Sequence, residues 1–261
     1  MSRMFSLFVL SFLLGLCGPS LAGPTVREVR GNFEASTSQE RFVKALVNVL
    51  DPDAMTVTFS GAIKENGELQ GIYIDAVGVS AGTSYRLDRI ALSGALIRLA
   101  PPAQWDISDI KTFRPQKWEG LFEAELTLKK DTAQKALRAF SETRKGGAWR
   151  NLSLDFKPGQ LLLGGTYRVG SGVRAVFKIA TGLELRGGKQ IWLANTEVQV
   201  NNDEQTQAIR KEIQKINPPV DLEKLEVPLV LRSVVVTNQE LRIATGRPPR
   251  PIDGDTWKYL R

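Results

Sequence analysis

Apolar and polar residues alternate along most of this chain, and this alternation restricts the folds open to it more than any other feature. Met55, Val57 and Phe59 stand two residues apart, with threonines between them. Residues 122–128 and 192–200 repeat the pattern over longer stretches. A period of two is typical of β-strands that bury one face. The sequence therefore predicts a protein built largely of strands.

Short turn sequences separate the alternating runs. Asn66-Gly67 is typical of a tight hairpin, because asparagine and glycine tolerate the positive φ that such a turn requires. Residues 157–159 and 186–189 carry Pro-Gly and Gly-Gly turns, and residues 170–172 form a looser connection. Strands joined in this way are antiparallel neighbours. We therefore expect a long, curved antiparallel sheet of about eight or more strands.

Three segments have helical spacing instead. Residues 37–40 form a capping box, and the helix that they begin is expected to end before Pro52. A second helix is expected to begin at Asp131 and to end at residues 146–147. A third spans residues 202–216. Each carries a narrow apolar stripe, so we expect the helices to lie on the sheet in an α+β fold.

The N-terminal residues are typical of an export signal. Residues 1–22 combine a basic start, an apolar run over residues 5–17 and small residues before the expected cleavage point. The apolar run is shorter than the about 20 residues that span a bilayer. We expect an exported protein of the periplasm or cell envelope. A lipid anchor at Cys17 is the alternative, although Leu16 is bulky where such an anchor has a small residue.

The rest of the chain is expected to form one α+β domain over residues 23–245. Within it, residues 100–119 contain three prolines and two tryptophans without a clear period, which indicates a long irregular loop. Residues 246–261 are rich in proline and basic residues. They predict a C-terminal tail that is mobile or draped over the surface.

The composition excludes catalysis by histidine or cysteine in the expected mature protein. The chain has no histidine, and its one cysteine lies in the expected export signal. Carboxylate pairs remain conceivable as catalytic groups, either Asp106 with Asp109 or Asp75 with Asp88. Solvation or salt bridging is the simpler interpretation of all four. We therefore expect no enzyme, no cofactor and no metal site, although carboxylate-based hydrolysis or glycan modification stays an alternative.

The charge and the apolar strands indicate possible partners. The formal charge of +7 suits anionic lipid headgroups or acidic glycans better than nucleic acid in an exported protein, and simple solubility is the plainer explanation. Residues 160–169 and 227–236 are apolar on both faces. Such strands need cover on both sides, either from helices or from a ligand. This pattern is compatible both with an apolar ligand and with an ordinary protein-filled core.

The order of features from about residue 36 to residue 246 resembles that of the LmeA-like exported phospholipid-binding proteins, a family of largely uncharacterised bacterial envelope proteins. The resemblance rests on patterns of turns and apolar positions, and it contains no catalytic signature. The segments that carry it are residues 126–137, 152–165, 182–193, 195–201, 217–222 and 228–245.

This resemblance implies a binder of phospholipid or another acyl lipid, without established catalysis, that supports envelope lipid or glycolipid biogenesis or transport. It also implies a fold similar to the tubular lipid-binding (TULIP-like) proteins, in which a long curved sheet wraps a helix. The family has no fixed set of polar functional residues. The long loop at residues 100–119 and the basic tail depart from its usual length.

Candidate site residues fall into three groups. The residues expected to line a lipid groove are Phe42, Leu46, Ile72, Ile74, Phe122, Leu126, Phe177, Ile179 and Trp192. The basic residues expected to select an anionic headgroup are Arg86, Arg89, Arg98, Lys111, Arg114 and Lys117. Trp105 and Trp118 are placed at a membrane interface, where indole rings are favoured, or in ordinary loop packing. The rival hypothesis is a structural or scaffolding envelope protein whose dry core holds no small molecule.

Overall fold

Strands dominate the structure, a computed structural model in which about half of the described residues are in strands. It describes residues 24–80, 86–113, 115–143, 149–169, 173–201, 203–215, 217–223 and 229–261. In chain order the elements are β1 (Val26–Arg30), α1 (Ser38–Leu50), β2 (Ala54–Phe59), β3 (Glu68–Val79), β4 (Leu87–Leu99), β5 (Pro115–Trp118), β6 (Phe122–Lys129), α2 (Lys130–Thr143), β7 (Trp149–Lys157), β8 (Gln160–Val169), β9 (Val173–Arg186), β10 (Gln190–Val200), α3 (Asp203–Lys215), β11 (Val220–Asp221), β12 (Ser233–Val236), β13 (Glu240–Ala244) and β14 (Asp255–Leu260).

The strands form two sheets rather than the single long sheet predicted. The larger has the order β1-β14-β2-β3-β4-β6-β13-β12, with β5 also paired to β4, and the smaller has the order β11-β10-β9-β8-β7. Pairing is antiparallel except between β1 and β14. The architecture is mostly antiparallel with few helices, and the sheet curls into a half-barrel. Turn sequences predict which consecutive strands pair, but they do not show where one sheet ends.

The predicted turns have different outcomes. Pro158-Gly159 joins β7 to β8, and residues 187–189 join β9 to β10, as expected. Asn66-Gly67 belongs to a turn in which the Gly67 N–H donates to the Lys64 carbonyl at 2.9 Å. That turn lies within a longer connection between β2 and β3 and is not a two-residue hairpin. Residues 170–172 lie outside the described residues.

Helix capping agrees with the sequence. The Thr37 hydroxyl accepts from the Glu40 N–H at 3.2 Å, and the Glu40 carboxylate accepts from the Thr37 N–H at 3.1 Å. At α2, the carboxylate of Asp88 accepts from the Lys129 N–H and from the Thr132 hydroxyl. The start of this helix is therefore capped by a residue from β4, which local sequence does not reveal. The predicted end of α2 at residues 146–147 lies outside the described residues, and α3 follows its prediction closely.

The C-terminal residues correct the prediction of a tail. β14 lies inside the larger sheet, between β1 and β2, and hydrogen-bonds to both. Trp257 and Tyr259 are 3% and 6% exposed, so the end of the chain is part of the core. The alternation of buried and exposed residues in β14 spans only six residues. The neighbouring prolines and arginines, which indicate a surface segment, conceal it.

The segment predicted as an irregular loop also contributes to the core. Residues 100–119 contain two short 3-10 turns, Pro102–Gln104 and Ile110–Phe113, followed by β5. Trp105 and Phe113 are buried, with ring centroids 4.5 Å apart, and both rings contact Phe42 of α1. The segment closes one side of the core beneath α1.

Three clusters of buried side chains hold the two sheets. The first lies between α1 and the larger sheet, and the second lies between α3 and the smaller sheet. The third joins the sheets, because it unites Ala133 of α2, Phe156 of β7 and Val236 of β12. A backbone hydrogen bond of 2.9 Å from Gly159 to Val236 reinforces the junction.

Replacing Trp257 should show that the C-terminal strand is structural. The Trp257 ring packs edge-on against Phe59 at 5.3 Å. We expect Trp257→Ala to lower the free energy of unfolding by about 3–5 kcal/mol, because it leaves a cavity in the core. Urea unfolding followed by circular dichroism measures this loss. The exposed neighbour Lys258→Ala is the control, and a Trp257→Ala protein as stable as that control would contradict the position of β14.

Glu40 should make stability depend on pH. Burial alone would raise the pKa of Glu40, but hydrogen bonds from Ser36, Thr37 and Arg27 outweigh it and lower the pKa from 4.5 to about 2. A lowered pKa means that the carboxylate stabilises the fold fully above pH 4.5, and that this contribution is lost as the pH falls towards 2.

Glu40→Gln should therefore cost about 1–3 kcal/mol at neutral pH. The difference from the natural chain should shrink as the pH falls from about 5 to about 2. Urea unfolding at a series of pH values measures it, with the exposed Glu34→Gln as the control. A difference that stays constant with pH would show that the charge of Glu40 does not stabilise α1.

Candidate functional site

One face of the larger sheet carries a row of apolar side chains on β6, β13 and β12, the last three strands in its order. Leu126 of β6 pairs with Ile243 of β13, which pairs in turn with Val234 of β12. Ala124 lies two residues from Leu126, on the same face. We call Ala124, Leu126, Val234 and Ile243 the inner strip. The face to which they belong is the one that α1 covers further along the sheet.

The inner strip is only half-buried. Thr127 points to the opposite face of β6 and is 8% exposed, whereas Leu126 beside it is more exposed. Ala124, Val234 and Ile243 are likewise half-buried. Where an apolar and a polar residue are neighbours on an interior strand, the apolar side chain is normally the more buried of the two. The strip is therefore a place where the apolar face has incomplete protein cover.

The strip lies between two of the buried clusters. Ile90 and Leu92, its neighbours on β4, pack against the first cluster, while Leu128 and Leu241 pack against the third. Within the part of the chain that the structure describes, none of the three clusters includes a residue of the strip. The result is a partly covered apolar stretch that lies between two regions of protein core.

The opposite face of the sheet is closed by its own polar side chains. The Arg89 guanidinium donates to both Asp75 carboxylate oxygens, at 2.7 and 2.9 Å, and lies 3.9 Å from Glu125. Asp75 lies on β3 and Glu125 lies on β6, the strands on either side of β4. Ala91 of β4 lies between these two carboxylates and is 2% exposed. The hydrogen bond to Asp75 raises the pKa of Arg89. This face offers no apolar surface at its centre.

A cleft with a volume of about 540 Å³ opens at the end of the sheet where β4 changes partner from β6 to β5. Three basic side chains line it, those of Lys64, Arg98 and Lys117. Glu68 pairs with Lys64 and with Arg98, and Lys117 pairs with Glu119. Hydrogen bonds from Lys64 and Arg98 lower the pKa of Glu68 to about 2. The cleft therefore keeps a surplus of one positive charge at neutral pH.

The predicted groove residues divide among several places. Six of the nine lie in helix-covered cores: Phe42 and Leu46 on α1 itself, Ile72 and Ile74 beneath α1, and Phe177 and Ile179 beneath α3. Helices fill these positions, so they line no open groove in this structure. Phe122 and Leu126 lie on the face of the inner strip. Trp192 lies on the other face of the smaller sheet, where Arg186 stacks on its ring at 4.5 Å.

The predicted headgroup residues are not brought together as one set. Arg86 donates to Asp53 and to the Gly78 carbonyl at one end of β4, and Arg89 belongs to the polar face. Arg98, at the other end of the strand, is the direct cross-strand neighbour of Lys117. Lys111 lies in a 3-10 turn away from that pair, and Arg114 lies outside the described residues.

The predicted membrane-interface tryptophans have different outcomes. Trp105 is 5% exposed, and its indole N–H donates to the Ala100 carbonyl at 2.7 Å. It is a core residue, so its assignment to a membrane interface was wrong, and the alternative of loop packing fits the structure. The side chain of Trp118 lies outside the described residues.

The candidate carboxylates have structural partners. Asp106 accepts from the hydroxyl and the N–H of Ser108, and these bonds close a local turn and lower its pKa. Asp109 accepts from the Lys111 N–H in the same way. Asp75 pairs with Arg89, and Asp88 caps α2. Among the described residues, no group of three or more acidic side chains is arranged to hold a metal ion.

Comparison with known families supports a lipid ligand. The LmeA-like phospholipid-binding family matches residues 34–246, which is most of the chain. The chain belongs to this family. The match includes every residue of the inner strip, and the family description is that of a lipid binder without a named catalytic activity. The resemblance noted in the sequence is confirmed.

Comparison with curated proteins gives no match, and comparison with solved structures gives none. The similarity to tubular lipid-binding folds therefore stays a prediction. Among the described helices, none has both the length and the apolar content needed to cross a membrane.

The partial burial of the inner strip should limit how much its side chains contribute to the free energy of unfolding. We expect Leu126→Ala to cost about 1 kcal/mol, because its side chain is already partly hydrated. Leu69, which is 2% exposed in the first cluster, is the matched control, and Leu69→Ala should cost about 2–5 kcal/mol. Urea unfolding of lipid-free protein compares the two. Equal losses would show that Leu126 is as fully packed as a core residue.

Proposed function

We propose that this protein is an exported, non-catalytic binder of phospholipid or another acyl lipid, and that the lipid's hydrocarbon chain lies along the inner strip. The observation that carries the proposal is the half-buried apolar row that runs from β6 to the edge strand β12, on a sheet whose opposite face carries the charged Arg89 network. Membership of a phospholipid-binding family supports the same ligand class.

Partition from water would provide the binding energy. Each buried CH₂ group contributes about 0.8 kcal/mol, so a sixteen-carbon chain supplies roughly 10 kcal/mol before the cost of ordering it. The strip needs no polar group to hold such a chain. This agrees with a family in which the resemblance implies no fixed set of polar functional residues.

The fold and the sequence support the remaining parts of the proposal. A curled antiparallel sheet with helices on its inner face is the arrangement that a tubular lipid-binding fold would have. Residues 1–22 have the composition of an export signal, which would bring the protein to the periplasm or cell envelope. There it would support lipid or glycolipid biogenesis or transport.

Extraction tests the ligand directly. Protein purified without detergent is extracted with organic solvent, and the extract is examined by mass spectrometry. Phospholipid or another acyl lipid in amounts comparable to the protein supports the proposal. Empty extracts, together with no lipid uptake from phosphatidylglycerol vesicles, would contradict it and favour the dry-cored scaffold.

Neighbouring valines provide a matched test of the strip. Val234 lies on the strip, whereas Val235 points to the other face and is 48% exposed. Val234→Trp should fill the space for an acyl chain and lower the lipid bound per protein several-fold, while Val235→Trp should leave it unchanged. Mass spectrometry of extracted lipid measures both, after circular dichroism confirms folding. Equal lipid content in the two variants would place the ligand elsewhere.

A further inference from the structure

Two exposed leucines lie on hydrogen-bonded neighbouring segments at the basic end of the larger sheet. Leu121 is 79% exposed and Leu96 is 56% exposed, which makes them two of the most exposed large apolar side chains among the described residues. Their segments are joined by hydrogen bonds from the Ala95 N–H to the Leu121 carbonyl, at 3.3 Å, and from the Glu119 N–H to the Leu96 carbonyl, at 3.1 Å. Adjoining exposed apolar residues on a soluble surface commonly mark a site of interaction.

The backbone holds Leu96 in an unfavourable conformation. Its φ is +51°, in the left-handed region that leucine rarely adopts. Leu96 lies at the point where β4 leaves β6, after Gly94, and joins β5, at Ile97. Such strain costs free energy and persists where the surrounding structure imposes it, often at functional sites.

Two cations face each other beside these leucines. Arg98 and Lys117 are direct cross-strand neighbours, and like charges in that position repel. Glu68 and Glu119 pair with them, and Lys64, the third basic residue of the cleft, gives the cleft its surplus positive charge. This basic rim matches the charge of a surface rich in anionic lipid headgroups.

We propose that Leu96, Leu121, Arg98 and Lys117, together called the tip, dock the protein on an anionic lipid bilayer. The leucines enter the interfacial layer, and the two cations contact lipid phosphates. Leu121 directly precedes Phe122, with which β6 begins, so the tip lies at one end of the strand that carries Ala124 and Leu126. The inference rests on the proposed lipid-binding function, because docking here would bring a bilayer to the end of the inner strip.

Vesicle co-sedimentation tests the tip with the full protein. The probes are phosphatidylcholine vesicles with and without phosphatidylglycerol. The test variant combines Leu96→Asn, which tolerates the positive φ, with Leu121→Ser. Its vesicle affinity should fall at least about tenfold, because the surface that enters the bilayer is lost. Val176→Ser is the matched control, since Val176 is 52% exposed on the smaller sheet.

A charge variant separates the contribution of the cations to vesicle binding from that of the leucines. Lys117→Gln should weaken binding to vesicles that contain phosphatidylglycerol and should leave binding to pure phosphatidylcholine unchanged, with the exposed Lys258→Gln as control. Equal loss on both vesicle types, or no loss on either, would overturn the role of the cations.

Lipid content measured on the same samples distinguishes this proposal from the proposed function. A double variant that still holds co-purified lipid but no longer binds vesicles supports the tip. Unchanged vesicle affinity in the double variant overturns the tip while bound lipid keeps the proposed function intact. Natural protein that binds vesicles through these leucines but holds no lipid would support docking and contradict the proposed function.

Discussion

The packing of α1 on the larger sheet determines how much of the sheet's apolar face has protein cover. Eight strands in hydrogen-bonded order span about 34 Å, at about 4.8 Å between neighbours. α1 has 13 residues and is therefore about 20 Å long. One helix of that size cannot cover the whole inner face. The first cluster forms where α1 reaches, the third forms where α2 and the smaller sheet close the other end, and the inner strip is the apolar surface left between them.

The chain ends stabilise this arrangement. β14 inserts between β1 and β2, so the inner face under α1 is complete only when residues from both ends of the chain have met. Arg261 adds ion pairs to Asp51 and Asp53 beside the end of α1. On the other face, the Arg89 network closes the sheet with charge. The partly uncovered apolar surface is therefore confined to the inner face, on β6, β13 and β12.

Local sequence patterns predict the helices, strands and turns better than they predict which strands pair and which helices cover them. The capping box at Thr37 and Glu40, the Pro158-Gly159 turn and the extent of α3 depend on neighbouring residues, and the sequence reveals them. The place of β14 depends on a strand some two hundred residues away, and the prolines before it indicate a surface segment. Six of the nine predicted groove residues lie in helix-covered cores for a related reason. Ile72, Ile74, Phe177 and Leu126 all occupy apolar positions of alternating strands, and only the tertiary structure shows that helices cover the first three. Val234 and Ile243 lie on short strands that the sequence does not separate from other apolar runs.

Photo-crosslinking of bound lipid tests whether the acyl chain lies on the inner strip. A phospholipid with a diazirine in the middle of its acyl chain is loaded into the protein and activated by light, and the labelled peptides are identified by mass spectrometry. If the acyl chain lies on the inner strip, labels should concentrate in residues 122–128 and 233–244. Labels confined to α1 and β2, or to the smaller sheet beneath α3, would contradict this account of the ligand site.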